Sequence, residues 1–175
     1  MTSGVVGAAR ARVVLVCGPA GAGKTTHAQA LERSGYVRLS FDEEAWERGY
    51  RVHPLSDAAA AEVHAVLTER LVGLIGEGRD VVVDTSFWSR ASRDRYRALV
   101  EPLGVTAVVH YLDVPPDLVR ARLSRRTDRG PHDVAVPPER ARAYLAGFEV
   151  PAVDEGPLVV VKADVGDREA GQGTA

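Results

Sequence analysis

Eight consecutive residues carry the clearest chemistry in the chain. Gly18, Pro19, Ala20, Gly21, Ala22, Gly23, Lys24 and Thr25 fit the Walker A pattern G-x-x-x-x-G-K-[ST] without a mismatch, and Thr26 continues the same turn. Glycines at these places let backbone N–H groups turn inward around an anion, and a helix starting at the end of the segment adds partial positive charge. Lys24 is then placed to neutralise β- and γ-phosphates, and the Thr25 hydroxyl is offered to Mg²⁺. The pattern predicts a loop that holds the phosphates of ATP or GTP.

Two carboxylates extend this chemistry. Asp84 closes the apolar run Val81, Val82, Val83, and Asp42 lies just beyond another short apolar stretch. In a parallel sheet, groups at the carboxyl ends of strands converge on the crevice where ligands bind, and the phosphate loop leaves its strand at that edge. Asp42 suits a general base that takes the proton of an acceptor hydroxyl during phosphoryl transfer, or alternatively a helix N-cap. Asp84, with Thr85 beside it, suits Mg²⁺ or acceptor binding, or alternatively marks the end of a strand.

Phosphoryl transfer also needs positive charge over the migrating group. Arg120, Arg122, Arg125, Arg126 and Arg129 supply a basic run, with Arg125 and Arg126 best placed where a helix meets a loop; the alternative is a solvated face. Arg90, Arg93, Arg95 and Arg97 form a second cluster, in which Arg90 and Arg93 share a helix face and could receive an anionic acceptor or form salt bridges with Asp94 or Glu101. Trp46, Phe87 and Trp88 suit an acceptor pocket or rim packing. The histidines His27, His53, His64, His110 and His132 show no metal spacing and are given no chemistry; His110, inside an apolar run, reads as a hydrogen-bonded core residue.

The elements that must position these groups are legible from periodicity. Short apolar runs predict strands at 12–17, 36–40, 80–84, 106–112 and 158–162. Between them, helical spacing predicts helices from Lys24 to a C-terminal cap at Gly35, over 42–49, from an Asp57 cap to Gly76, over 89–103, from Pro115 and Pro116 to Arg126, and over 138–147. Strands alternating with helices predict an α/β, three-layer fold with a parallel sheet covered on both faces. A domain over 12–163 is expected, with a mobile lid at about 126–137 and flexible ends at 1–11 and 164–175.

These residues together resemble the small P-loop kinase-like family of AAA-type ATP-binding proteins, related to polynucleotide 5′-hydroxyl kinases, zeta-toxin-like kinases and chloramphenicol phosphotransferases. The resemblance covers 13–151, and its landmarks are GPAGAGKTT at 18–26, SFDEE at 40–44, VVVDTSFWSR at 81–90, RARLSRR at 120–126 and FEVP at 148–151. It implies a P-loop NTPase fold of nucleotide-kinase type, with a five-stranded sheet in the order 2-3-1-4-5. It further implies Asp42 as the acceptor-activating base, Asp84 at the acceptor site, and Arg122, Arg125 or Arg126 as arginines clamping ATP. Polynucleotide kinases carry a basic residue after the base aspartate, where this chain has Glu43 and Glu44, so a nucleic-acid acceptor is disfavoured.

The chain of 175 residues has the composition of an ordinary globule, 45% hydrophobic and 26% charged, and its net charge of −2 advertises neither nucleic acid nor membrane as a partner. Cys17, the single cysteine, excludes an intramolecular disulfide and suits a buried hydrophobe in a reducing cytoplasm. No run reaches the roughly 18 apolar residues that span a bilayer. The expected activity is an ATP- and Mg²⁺-dependent phosphotransferase acting on a hydroxyl of a small molecule or, less favoured, a nucleic-acid 5′ end. An ATPase or a nucleotide-binding regulator is the alternative. A monomer or homodimer is expected.

Overall fold

Five apolar runs find partners in one parallel sheet. The computed structural model describes residues 10–51 and 54–162. His53 and the expected flexible ends, apart from Arg10 and Ala11, lie outside the described residues. The elements run β1 (Val13–Cys17), α1 (Lys24–Arg33), β2 (Val37–Ser40), α2 (Phe41–Glu47), α3 (Asp57–Gly76), β3 (Val81–Asp84), α4 (Arg90–Val100), β4 (Ala107–Asp113), α5 (Pro116–Leu123), α6 (Pro138–Ala146) and β5 (Leu158–Lys162). The strands pair in parallel in the expected order, β2-β3-β1-β4-β5.

β1 occupies the centre because all five of its residues can be buried on both faces. Val13, Leu15 and Cys17 pack with Val63, Leu67 and Leu71 of α3 and with Tyr96 and Val100 of α4. Val14 and Val16 point the other way, toward Ala28 of α1, Val82 and Leu112. Each such valine or leucine contributes about 1.5–3 kcal/mol by leaving water. A third, smaller cluster joins Val119 and Leu123 of α5 to Ala141 of α6, with Ala20 of the phosphate loop against it. β5 departs from the two-sided burial its sequence suggested: Val159 and Val160 are 43% and 49% exposed, because this strand is the edge of the sheet.

Two element ends differ from the sequence reading. Ser56, rather than Asp57, caps α3, its Oγ accepting from the Ala59 N–H at 3.3 Å. Asp57 instead sits in the first turn, where a carboxylate complements the helix dipole. α5 stops at Leu123 rather than Arg126, so Arg125 and Arg126 lie beyond the helix and their directions are not set by its period.

A buried cation locks the sheet's ligand edge to the segment between α6 and β5. Arg93 is fully buried, and its Nε and Nη2 each donate to Glu155 at 2.7 Å. Its Nη1 donates to the carbonyls of Phe87 and Glu149, both at 2.9 Å. Phe87 has φ +43°, a left-handed conformation that is strained for a bulky residue, and its carbonyl also accepts from the Cys17 thiol at 3.4 Å. Burial pushes that thiol up to about 11, so Cys17 is a packed hydrophobe, as expected.

The Arg93 hydrogen bonds hold the Glu155 carboxyl down at about 2. Arg93→Leu leaves Glu155 without its main counter-charge and is expected to lower unfolding stability by about 3–5 kcal/mol in chemical denaturation at neutral pH. A depressed carboxylate contributes fully above its ordinary value of 4.5 and loses its contribution as pH falls toward about 2. The difference between wild type and variant should therefore shrink across that acid window.

Candidate active site

The phosphate loop is shaped by two left-handed glycines. Gly21 has φ +82° and Gly23 has φ +94°, which an L side chain rarely adopts. A Cβ on Gly21 would also stand 3.1 Å from both the Leu123 Cγ and the Val119 carbonyl oxygen, so α5 closes one side of the loop. Gly23 begins α1 without a side-chain cap and no acidic residue lies in the first turn. The loop therefore concentrates helix-end N–H groups and partial positive charge at one place. Lys24 Nζ donates to the Pro19 carbonyl at 3.0 Å. Its desolvation lowers its pKa, with Arg126 adding repulsion, against the pull of the nearby Asp42 and Asp84 carboxylates.

Sheet register delivers the two carboxylates. Asp84 stands level with Val16 of β1 and with Ser40 of β2, so the phosphate loop, Asp84 and the start of α2 leave one edge together. Ser40 caps α2 by accepting from the Glu43 N–H at 3.3 Å, which removes the capping alternative for Asp42 and leaves its carboxylate in the first turn bordering the cleft. Asp84 is buried, 4% exposed, and burial raises its pKa against the attraction of Lys24 and a hydrogen bond from Thr25. Asp84 Oδ2 is buried without a hydrogen-bond partner, 3.7 Å from Arg38 Nη1. The Asp84 carboxylate together with the Thr25 hydroxyl that hydrogen-bonds it is an oxygen donor set that fits a hard cation such as Mg²⁺.

Residues 124–137 contain no regular element, yet part of the segment is braced internally. Asp133 Oδ2 accepts from the Thr127 N–H, the Thr127 hydroxyl and the Arg129 N–H at 3.1, 2.8 and 3.1 Å. The segment brings in a residue that spacing and type alone leave without a role. His132 Nδ1 lies 3.4 Å from Thr25 Oγ1 and 3.8 Å from Asp42 Oδ2, and its Nε2 lies 2.9 Å from Glu43 Oε1. A histidine in a breaker-rich stretch carries no periodic signal, and its three neighbours lie about a hundred residues upstream. Arg38 is illegible in the sequence for a similar reason: it pairs with Glu32 and Glu43, which lie on other elements.

A cleft of about 870 Å³ collects most of the predicted site. Pro19, Ala20, Gly21, Gly23, Lys24, Thr25 and Thr26 border it, as do Asp42, Asp84 and Thr85. Arg122 and Arg126 border it too; Arg122 Nη1 donates to the Gly21 and Ala22 carbonyls, each at 3.4 Å. Gly18 and Ala22 act behind the rim. The Gly18 N–H donates to the Ser86 carbonyl at 3.3 Å, and Ala22 is buried.

Three arginine expectations, those of phosphate or acceptor binding at Arg125, Arg90 and Arg93, are revised. Arg125 is exposed and does not line the cleft, whereas Arg126 does. Arg90 does not line it either: its Nη1 donates to Asp154 at 2.9 Å and its Nε lies 3.6 Å from Asp94. Arg93 is consumed by Glu155, and Arg97 pairs with Asp94 and Glu155, so the second basic cluster presents no anion site from these residues. Phe87 and Trp88 do line the cleft, whereas Trp46 lies under the Arg51 guanidinium, 3.9 Å from its ring centre. His110 is hydrogen-bonded as expected, with His27 as partner at 2.9 Å. Glu43 and Glu44 are taken up by Arg38, Arg48 and Arg70.

A parallel sheet in the order 2-3-1-4-5, with a Walker A loop leaving its central strand, defines a P-loop protein of kinase-like architecture. The chain belongs to the AAA domain family, whose model matches residues 13–151. Among solved structures it is similar to an unliganded sugar kinase from Janibacter sp., 25% identical with a TM-score of 0.62 over 87% of this chain and 85% of that one. It is also similar to a gluconokinase from Sinorhizobium meliloti, 23% identical with a TM-score of 0.62 over 88% and 83% of the two chains. A third is the APS kinase of Mycobacterium tuberculosis in complex with AMPPNP and APS, 20% identical with a TM-score of 0.57 over 89% and 90%. No curated protein matches the chain.

The Asp42 carboxylate first, and then Glu43, hold the His132 pKa above the ordinary value of 6.5, against the cost of burial. The charged contact is thus complete below about pH 6.5 and is lost as pH rises through the raised value. An NMR titration of His132 should give a midpoint above 6.5 in the wild type, falling in both Asp42→Asn and Glu43→Gln. A midpoint indifferent to both substitutions would contradict the arrangement.

Proposed function

We propose that the chain is an ATP-dependent kinase that moves the γ-phosphate of ATP to a hydroxyl of a small molecule. The observation that carries this reading is that Lys24, Thr25, Asp84, Asp42 and Arg126 border one cleft, joining a phosphate cradle to a half-exposed carboxylate. The names of the similar structures, sugar kinase, gluconokinase and APS kinase, support phosphoryl transfer to an alcohol.

In this reading the loop N–H groups and Lys24 hold the β- and γ-phosphates, and Arg122 leans on the loop from α5. Thr25 and Asp84 would hold Mg²⁺, which neutralises phosphate charge when bound. Asp42 accepts the proton of the acceptor hydroxyl as its oxygen bonds to the γ-phosphorus. The bond from that phosphorus to the β,γ-bridging oxygen breaks, and ADP leaves with the electron pair. Arg126 and Lys24 offset the charge spread over the transferring oxygens. Thr85 contributes a hydroxyl on the acceptor side. The 126–137 segment closes over the phosphates as a lid, with His132 drawing it toward α2.

A nucleic-acid 5′ end is the less favoured acceptor, because Arg90, Arg93 and Arg97 are all engaged by carboxylates. Among the described residues no helix is long and apolar enough to cross a membrane. The reading is of a cytoplasmic enzyme, monomer or homodimer, with one domain over 12–163.

Transfer of label from γ-labelled ATP with Mg²⁺, across a panel of alcohols, tests the reading. Lys24→Ala should abolish transfer. Asp42→Asn should lower it by about 10²–10⁴-fold with the KM for ATP little changed. Release of free phosphate alone, at an unaltered rate in Asp42→Asn, would favour an ATPase or a regulator instead.

A further inference from the structure

The cleft is chemically divided. Its cations, Lys24, Arg122, Arg126 and Arg140, come from the phosphate loop, α5, the segment after it and α6. The described lining residues of α2, of 54–64 and of 84–88 include no lysine or arginine. Apart from Asp84, which faces Arg38 and the phosphate side, they present two carboxylates instead, Asp42 and Asp57, on walls of Phe41, Leu55, Phe87 and Trp88. Tyr144 and Phe148 complete the apolar side.

These walls are built rather than accidental. Phe41 packs on His64 with ring centres 4.8 Å apart, His64 Nδ1 meets the Tyr96 hydroxyl at 2.9 Å, and Tyr96 meets Phe87 edge to face at 4.9 Å. Phe148 stacks on Tyr111 at 5.9 Å. Trp88, in contrast, is 55% exposed, although the Glu149 N–H donates to its carbonyl at 2.8 Å and the Gly147 backbone stands beside its ring. A large aromatic side chain left half in water on the rim of an apolar cleft has contact area to offer a ligand.

Resting on the kinase reading above, we infer that the acceptor is an alcohol with an apolar ring and no anionic group, either uncharged or amine-bearing. Its hydroxyl lies at Asp42, its ring lies between Phe41 and Phe87 on one side and Trp88 and Phe148 on the other, and any amine faces Asp57. Two carboxylates, Asp42 and Asp57, with no lysine or arginine among the lining residues beside them repel a sugar acid, a sugar phosphate or an oligonucleotide end, and the aromatic faces offer such polar bodies few hydrogen bonds. A ring-bearing body, by contrast, exchanges water for aromatic contact, and a protonated amine adds attraction to both the rings and the carboxylates. This separates the acceptor from the classes named for the similar structures.

Binding can be read without turnover. The full-length protein, loaded with AMPPNP and Mg²⁺, is screened by saturation-transfer NMR against two size-matched sets of alcohols. One set holds ring-bearing neutral and amino alcohols such as benzyl alcohol and phenylglycinol; the other holds sugars, sugar acids and sugar phosphates such as glucose, gluconate and glycerol phosphate. Binding should concentrate in the first set. Trp88→Ala, whose half-exposed side chain can be removed without opening the core, should weaken those hits about tenfold and leave AMPPNP affinity unchanged. Hits drawn mainly from the second set, or ring-bearing hits indifferent to Trp88→Ala, would overturn the inference. Labelled ATP then separates the two readings. Ring-bearing alcohols that bind but are never phosphorylated, while no other alcohol is phosphorylated either, count against the kinase reading and overturn the acceptor assignment with it, leaving only a cleft that binds such rings. Phosphorylation of gluconate supports the kinase reading and overturns the acceptor assignment alone.

Discussion

Backbone pairing between β2, β3 and β1 is the constraint on which the site depends. Because the strands are parallel and in register, Ser40, Asp84 and Val16 stand level, and every chain segment that leaves them departs in the same direction. The phosphate loop, the buried carboxylate and the helix bearing Asp42 are therefore neighbours by construction. No long-range side-chain recognition is needed to assemble them. Fine adjustment follows from local chemistry: Ser40 takes the capping position, and Asp42 one turn-step later is left to face the cleft.

A second layer of order acts on the opposite wall, and it is electrostatic. Arg93 brings a charge into the protein interior and satisfies it with the Glu155 carboxylate and two carbonyls. The same guanidinium fixes the strained backbone of Phe87 and the start of the FEVP segment, so the aromatic wall of the cleft inherits its shape from an ion pair outside it. Such a buried pair is weak evidence for stability in itself, yet losing one partner is costly, which makes it a device for holding one conformation. The phosphate loop thus rests on hydrogen-bonded sheet register, and the aromatic wall of the cleft on a buried cation.

What was legible in the sequence follows this division. The phosphate loop is contiguous, and its residues announce their role by type and spacing. Asp42 and Asp84 could be placed because a strand end is a local signal and the parallel arrangement converts it into a shared edge. Arg90 and Arg93 could not be placed, because their partners Asp154 and Glu155 lie about sixty residues further along the chain and nothing in the helix that carries the arginines points to them. The choice between Arg125 and Arg126 turned on where α5 stops, and no breaker residue marks that point. His132 and the aromatic walls were invisible for a related reason, since their meaning lies in contacts between segments that share no period. β5 misled in the other direction: its valines promise two-sided burial, but no further strand in the sheet pairs with its outer edge.

One contact in the phosphate loop has mechanical weight. A single missing methyl group at Gly21 lets the Val119 carbonyl and the Leu123 side chain rest directly on the loop, and Arg122 hydrogen-bonds its backbone from the same helix. The loop and α5 are thereby fused into one rigid body. Backbone hydrogen bonds from Ser124, Arg125 and Arg126 back to Arg120, Arg122 and Leu123 extend this anvil past the last helical turn. Arg126 is thereby moored to the same block as Arg122, and its reach toward the loop is gauged by α5 rather than by the stretch that follows.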